Sequence, residues 1–430
     1  MNTPFIVIAG GSYSGALVFY YLQNYLSRSR NPYDLLFISE RSFYFFHDLL
    51  SEFLCNTCLF GEISQSFRSM GLLRPGVSYL ETKILNIDLK EKLIHTLKGS
   101  VKYDYLILSP DCDKHKNNAG FDTDNLYEFK SPEDVLNLKK HLLSCLEKAA
   151  GEKELDIKKS LLSFTIIGAK KQGVEIACAL CDYLNNLLKN NFPELKKSLL
   201  SIYLIEKKKA TDFKVSPFYN DAIYYDLNKK SINVLMDSTI TNIYKDKVHV
   251  NNTREILCST VIHSGKNLSS SLIQMLPLEK NGLQQACVDL YLRAPGYENV
   301  FITGENASCI DLNENAEKMA FFYKEQARIC ARNVFNKISN NPLKPLKPSA
   351  DAGYHLLGKH NAVVKIKNLC FNGLIGWFIF RLIYIASFIS MRQKIKRLAL
   401  LLISLFGLKD DELLNVNMFS LQTNKELIKK

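Results

Sequence analysis

An α/β chain with two parallel-stranded units and a helical tail is the fold class that the sequence predicts. Three observations predict it. A short apolar run, a glycine-bearing turn and a helical pattern occur in that order twice, 158 residues apart. Each copy leads to a second apolar run that closes on an acidic residue. The chain beyond residue 340 then changes character, becoming basic and rich in long apolar stretches.

The first unit opens with Pro4-Phe5-Ile6-Val7-Ile8-Ala9, a continuous apolar run that suits a strand buried on both faces. Gly10-Gly11-Ser12-Tyr13-Ser14-Gly15 follows, and apolar residues from Ala16 to Leu26 then recur with helical spacing. Asp34 to Ser39 reads as a second parallel strand, ending in Glu40. This is the spacing of a Rossmann-like dinucleotide-binding unit. Gly10 allows the tight turn, Gly15 lets helix and strand pack closely, and the helix N-terminus offers N–H groups to a pyrophosphate. Ser12 holds the middle glycine position and is small enough for the role. Glu40 is placed to accept hydrogen bonds from a ribose diol.

In the second unit, Ser163 to Ile167 is the strand, Gly168-Ala169-Lys170-Lys171-Gln172-Gly173 the turn and Val174 to Leu188 the helix. Ser201 to Ile205 is the next strand, and Glu206 closes it. An acid there favours a free 2′-hydroxyl, hence NAD over NADP. Lys170 replaces the middle glycine and brings a long cationic side chain to the pyrophosphate position. One such glycine turn is weak evidence, because glycines also punctuate ordinary turns. Two copies, each between an apolar strand and an acid, carry more.

Between and beyond the units, Lys92–Leu97, Tyr103–Leu108 and Val300–Gly304 read as strands. Ser131-Pro132-Glu133-Asp134 opens a helix with an N-cap, a proline in the first turn and acids beside it. Asn315 to Phe335 is a further helix, and Asn340 to Ser349, with three prolines, reads as a linker.

The 430 residues predict two to three domains at about 150 residues each. Ordinary apolar and charged fractions, 47% and 23%, exclude a disordered or collagen-like chain. The net charge of +12 is concentrated in the tail: residues 341–409 carry eleven Lys/Arg against Asp351 alone. A nucleic-acid partner is therefore not expected. Eleven scattered cysteines suit a reducing compartment, and the N-terminus lacks a signal-peptide pattern. Eight dispersed histidines give no metal-ligand spacing. The cysteine pairs Cys55/Cys58 and Cys178/Cys181 read first as buried side chains, with a redox role for Cys55 and Cys58 as the sharper alternative.

With these residues in view, the chain resembles the FAD-dependent pyridine-nucleotide oxidoreductases, and within them the type II, non-proton-pumping NADH dehydrogenases. Val288 to Ala307 is similar to the family's "V-D-x-x-L-R…N-V-F-A-x-G-D-x-A", Tyr103 to Asp111 to "Y-D-Y-L-V-I-A-T-G", Thr260 to Gly265 to "W-x-x-G", and Phe43 to Leu50 to "F-x-P-L-L". In the tail, Leu357–Val363 and Phe371–Leu382 resemble "L-G…A-V" and "G-x-x-A-W-x-x-W-R". The departures are Ser109-Pro110-Asp111 for "A-T-G", Glu305 for the aspartate after Gly304, and Ala316–Tyr323 for "A-Q-x-A-x-Q-Q-G", in which both paired glutamines are lost.

The resemblance implies FAD on Gly10, Gly11, Ser12, Gly15, Glu40, Gly304 and Glu305, and NADH on Gly168, Gly173, Glu175 and Glu206. Glu175 would face the nicotinamide; otherwise it is a solvated acid of the first helical turn. The implied organisation is an FAD-binding domain in two parts (1–115 and 283–340), an NAD-binding domain (116–282), a linker (341–349) and a membrane-associating region (350–430). The implied activity passes hydride from NADH to FAD and electrons on to a quinone. No side-chain nucleophile is required, and a homodimer stays open. The alternatives are a flavoprotein-like membrane scaffold with little turnover, and a sulfide- or disulfide-linked flavin oxidoreductase using Cys55 and Cys58.

The tail sets the expected location. Leu369–Met391 is apolar except for Arg381, and Leu398–Leu408 is uncharged, but neither is a charge-free span of sufficient length. An Arg in mid-span costs about 2.5–3.5 kcal/mol. Two helices lying in the interface, with the basic cluster Arg392–Arg397 between them facing an anionic leaflet, are expected. That places the protein peripherally on the cytoplasmic face of a membrane.

Overall fold

A computed structural model describes residues 3–28, 32–70, 75–112, 125–207, 217–264, 269–309, 320–347 and 352–405. Its helices are α1 (Tyr13–Leu26), α2 (Leu50–Leu54), α3 (Phe60–Ile63), α4 (Pro132–Gly151), α5 (Leu155–Leu161), α6 (Lys171–Asn190), α7 (Pro217–Lys229), α8 (Ser271–Met275), α9 (Ala320–Ile338), α10 (Gly373–Ser387) and α11 (Met391–Leu405).

Two parallel sheets of five strands form the frame. The first runs, edge to edge, Val300–Ile302, Tyr105–Leu108, Phe5–Ala9, Asp34–Ser39 and Val77–Glu81. The second runs Leu126–Glu128, Thr260–His263, Ser163–Ile167, Ser201–Ile205 and Asn233–Leu235. In both, the strand before the glycine turn is central, flanked by the acid-tipped strand on one side and a later strand on the other. Ile6 to Ala9 are fully buried, as a strand covered on both faces requires.

The likeness of the units extends beyond the glycines. Just before its third parallel strand, each carries a three-stranded antiparallel sheet, at Ile84–Lys102 in the first and Ile240–Leu257 in the second. Helix α9 returns to pack along α1, closing the first unit with residues far downstream. Helix α4 begins as its sequence predicts, with Ser131 as N-cap accepting from the Asp134 N–H at 3.2 Å.

The tail differs from expectation. Ala352–Leu356, Ala362–Ile366 and Leu369–Phe371 form an antiparallel sheet before any helix begins. The stretch 341–347 is held rather than free: the Asn333 side chain bonds Lys344 through both N–H and carbonyl, and Leu346 is buried. Arg381 does not lie in lipid. It is buried between Glu52 of α2 (2.6 Å) and Glu62 of α3 (3.0 Å), while Trp377 Nε1 donates to Glu52. Burial alone would depress the Arg381 guanidinium, but Glu52 and Glu62 hold it above its ordinary value.

The basic cluster is corrected in the same way. It forms the first turns of α11 rather than a connector, and Arg397 is buried, donating to the carbonyls of Gly61 and Ser64 at 2.9 and 2.8 Å. These side chains answer the carbonyls and carboxylates of α2 and α3, which would otherwise be orphaned inside the protein. Residues 406–430, part of the expected membrane region, lie outside the described residues.

Candidate functional site

Both glycine turns lie at the carboxyl ends of parallel strands, where open α/β sheets bind ligands. In the first, Gly10 adopts φ +117°, and any side chain there would press into the Pro110 backbone. Ser12 is the N-cap of α1; its Oγ accepts from the Gly15 N–H at 3.2 Å and lies 2.7 Å from Ser109 Oγ. Ser109 follows the third strand, and its carbonyl accepts from the Ser12 N–H at 3.4 Å. The residue that replaced a glycine of the family pattern thus props the turn. Gly11 is buried against Ser39, and Glu40 stands exposed at the tip of its strand.

Gly304, at φ +84°, donates its N–H to Gln326 Oε1 at 2.9 Å. The next residue, Glu305, lines a cavity together with Tyr13, Phe46, Asp48, Asp111 and Tyr323. The cavity is narrow, about 50 Å³. Asp111 has its carboxyl raised by burial, with His47 and Arg41 opposing and Glu305 and Glu40 reinforcing the rise. Asp48 accepts from the Tyr384 hydroxyl, which lies 3.0 Å from the Tyr354 hydroxyl. Burial, then Asp48, hold both phenols well above their usual range.

This edge fits FAD as the sequence expects. The turn has a backbone surface open to a pyrophosphate, a free-standing acid lies at the ribose position, and an aromatic-walled cavity lies beyond it.

In the second turn, Gly168 adopts φ +95°, and a side chain on Gly173 would run into the Gly168 carbonyl. Lys170, exposed, is the N-cap of α6 and gives no side-chain cap. Ser264, following the third strand of this sheet, donates to the carbonyls of Ile167 (2.6 Å) and Gly168 (2.8 Å). Glu206 is 8% exposed, and its Oε2 accepts from the Ala169 N–H at 2.9 Å. Glu175 is buried, which excludes the solvated alternative; its Oε1 accepts from the Leu356 N–H at 3.1 Å and so ties α6 to the tail sheet.

The two turns meet. Lys171, the first residue of α6, has its Nζ 3.9 Å from Asp48 Oδ1 and 3.2 Å from the centre of the Tyr354 ring. The second turn thus reaches, through Lys171, an acid that lines the cavity beside the first. Asp48, Tyr323, Ser109 and Ser264 were not among the sequence candidates. The one available signal was an acid, Asp48, inside the apolar run Phe43–Leu50.

Cys55 and Cys58 are buried beside α2 and do not line the cavity. Burial pushes the Cys55 thiol up to about 11, so a thiolate chemistry finds no support there. Half of the quinone-side segment Ala316–Tyr323, residues 316–319, lies outside the described residues.

Two nucleotide-type turns, one beside an aromatic-walled cavity and the other reaching its Asp48 through Lys171, define the class of an FAD- and NAD-dependent oxidoreductase. The chain belongs to the pyridine nucleotide-disulphide oxidoreductases, whose family model matches residues 5–320. It is 24% identical over 416 residues to the type II NADH:quinone oxidoreductase Ndh of Mycobacterium tuberculosis, covering 91% of this chain and 86% of that protein. It is likewise 24% identical over 379 residues to a probable NADH dehydrogenase of Dictyostelium discoideum, covering 85% and 82%. Among solved structures, NDH2 of Plasmodium falciparum in complex with NADH superimposes with a TM-score of 0.77 at 18% identity, over 94% of this chain and 98% of that one. The sulfide:quinone oxidoreductase of Aquifex aeolicus gives 0.69 at 16%, over 88% and 89%, a likeness of fold.

Proposed function

We propose that this chain oxidises NADH and reduces a quinone at a membrane surface. The observation that carries the reading is the approach of Lys171 to Asp48, which brings the start of α6, at the second nucleotide turn, to a residue of the cavity beside the first. FAD, when bound, supplies a ring that accepts a hydride and releases electrons. The chain's residues bind and orient. Gly10, Gly11, Ser12, Gly15 and Glu40 would hold the adenine half of FAD, and Gly304 and Glu305 the half nearer the cavity. Gly168, Gly173 and Glu206 would shape the NADH turn. Glu175 would act from behind it, by fixing α6 to the tail. Residues 1–115 and 283–340 serve as the FAD domain and 116–282 as the NAD domain. One chain supplies both turns, so a homodimer is not required for the site.

The membrane part of the reading rests on the outer faces of the last two helices. Leu374, Ile375 and Leu382 of α10, and Met391, Ile395, Leu398 and Leu402 of α11, are exposed, while the ion-paired Arg381 and the carbonyl-bound Arg397 face inward. Among the described residues, no helix is long and apolar enough to cross a membrane. Such a face suits insertion to the headgroup boundary, with 350–430 as the membrane-associating region on the cytoplasmic side.

The test is the absorption spectrum of detergent-purified protein under NADH without oxygen. Flavin absorbance that bleaches with NADH and returns with a quinone supports the reading. The narrow cavity and Ser109-Pro110-Asp111 favour a second one, a scaffold with little turnover, which colourless protein would establish in its place. Leu374→Glu/Ile375→Glu/Ile395→Glu, all on the exposed face, should release the protein from membranes; sedimentation of that variant with vesicles would move the anchor elsewhere.

A further inference from the structure

A cleft of about 1000 Å³ shares no lining residue with the cavity beside the first nucleotide turn. Its walls are one face of α6 and one face of α7, and its floor is the turn at 359–361 with the start of α10. On α6 the lining residues Cys181, Asp182, Asn185 and Lys189 recur with helical spacing, as do Asp221, Tyr225 and Lys229 on α7. Along α6 the lining runs from Cys181, about 12 Å past Gly173 on the helix axis, to Lys189, about 24 Å past it. The cleft is therefore separate from the NADH turn at the other end of α6.

Its chemistry is cationic, with five lysines against three aspartates in the lining. Lys230 is paired with Asp182, and Asp226 accepts from Asn361 Nδ2 at 3.0 Å. Lys189, Lys197, Lys229 and Lys359 form no ion pair with any described residue. Beside the Lys230–Asp182 pair, four lysines face Asp221 and Asp226 only, so the cleft keeps a net positive charge that an anionic ligand relieves. The position of the cleft says which anion. Leu374 is part of its lining and is also 56% exposed, the first residue of the apolar face on α10, and Ile375 beside it is 66% exposed. Tyr225 at the rim, 67% exposed, is of the type favoured at headgroup level.

We propose that this cleft binds the phosphate-bearing headgroup of an anionic lipid, with the acyl chains leaving along Leu374 and Ile375. The proposal deepens the membrane reading and rests on it. The lysines take the phosphate by charge–charge attraction and hydrogen bonding, and the apolar face takes the chains by burial. The tail's affinity for membranes then has two separable parts, one apolar and one selective for charge.

The test is flotation of the full chain with phosphatidylcholine vesicles, pure or mixed with phosphatidylglycerol, at one ionic strength. Wild type should favour the anionic vesicles by ~10-fold or more. Lys189→Gln/Lys197→Gln/Lys359→Gln should lose that preference, keep its binding to pure phosphatidylcholine and keep NADH oxidation. Lys153→Gln/Lys158→Gln/Lys245→Gln removes as much charge elsewhere and should retain the preference. If both triple variants lose it equally, charge acts diffusely and the site is overturned; if the first triple keeps it, the site is overturned as well. Wild type that binds both vesicles alike leaves the membrane reading standing and removes the site. Wild type that binds neither removes both. A melting temperature raised by soluble glycerol phosphate, without any vesicle preference, assigns the cleft to a soluble ester and overturns the lipid.

Discussion

The two nucleotide units share strand order, turn geometry and an antiparallel insertion, yet they use their acids in opposite ways. Glu40 is exposed beyond its strand, whereas Glu206 is folded back onto its own turn, accepting from Ala169. The caps differ too. Ser12 satisfies the Gly15 N–H, while Lys170 gives α6 no side-chain cap. Each turn is propped by a serine after the third strand, Ser109 through its hydroxyl and carbonyl and Ser264 through two donations to carbonyls. The comparison teaches that position along the chain assigns a residue to a turn, and its neighbours in space decide whether it meets the ligand or shapes the turn.

The glycines break the comparison hardest. Gly10→Ala adds a side chain at positive φ against the Pro110 backbone, and Gly173→Ala adds one against the Gly168 carbonyl. Each should cost about 3 kcal/mol or more in stability. The phenotypes should separate: Gly10→Ala protein should be colourless, and Gly173→Ala protein yellow but not bleached by NADH. Normal bleaching of the Gly173 variant would remove the second turn from the NADH site.

The acids sharpen the comparison at the next level. Glu206→Ala leaves the buried Ala169 N–H without its acceptor, at about 1–3 kcal/mol, and should raise the apparent KM for NADH with flavin content intact. Glu40→Ala should change the melting temperature of flavin-free protein hardly at all, while weakening FAD retention about tenfold. Equal melting temperatures for the two variants would show that their environments do not differ in solution.

Smaller effects belong to the props. Ser109→Ala and Ser264→Ala should each cost about 1 kcal/mol, the first read in flavin retention and the second in NADH affinity. A pH dependence arises from two buried histidines, His141 of the second unit and His355 of the tail sheet. Burial, then Lys148, lowers the His141 imidazole from the ordinary 6.5 to about 4, and its Nε2 lies 2.8 Å from Thr260 Oγ1. As pH falls below 6.5 the unfolded chain takes up this proton first, so stability present above that pH is lost progressively down to about 4. His141→Gln should reduce the slope of urea midpoints between pH 7 and pH 5 without abolishing it, since burial also lowers His355 to about 3; an unchanged slope would sink the assignment.

Much of the frame was legible in the amino-acid order. Apolar runs of five residues, the Gly10 and Gly168 turns and the Ser131 cap are local features, and each forms where its residues call for it. The antiparallel insertions were half seen, because short strands such as Gly99–Lys102 carry little periodic signal. The tail was misread for a physical reason. Arg381 and Arg397 look costly in an apolar stretch, but Glu52, Glu62 and the carbonyls of Gly61 and Ser64, more than 300 residues upstream, satisfy them.

Residue order was enough to establish two nucleotide-binding units and the family to which the chain belongs, because strand–turn–helix geometry is written within about thirty residues. Three features came only with the packed molecule: the meeting of Lys171 with Asp48, the different burial of Glu40 and Glu206, and the lysine cleft between α6, α7 and α10. Each joins elements distant in sequence, and burial and electrostatic pairing are properties of that packing rather than of any local pattern.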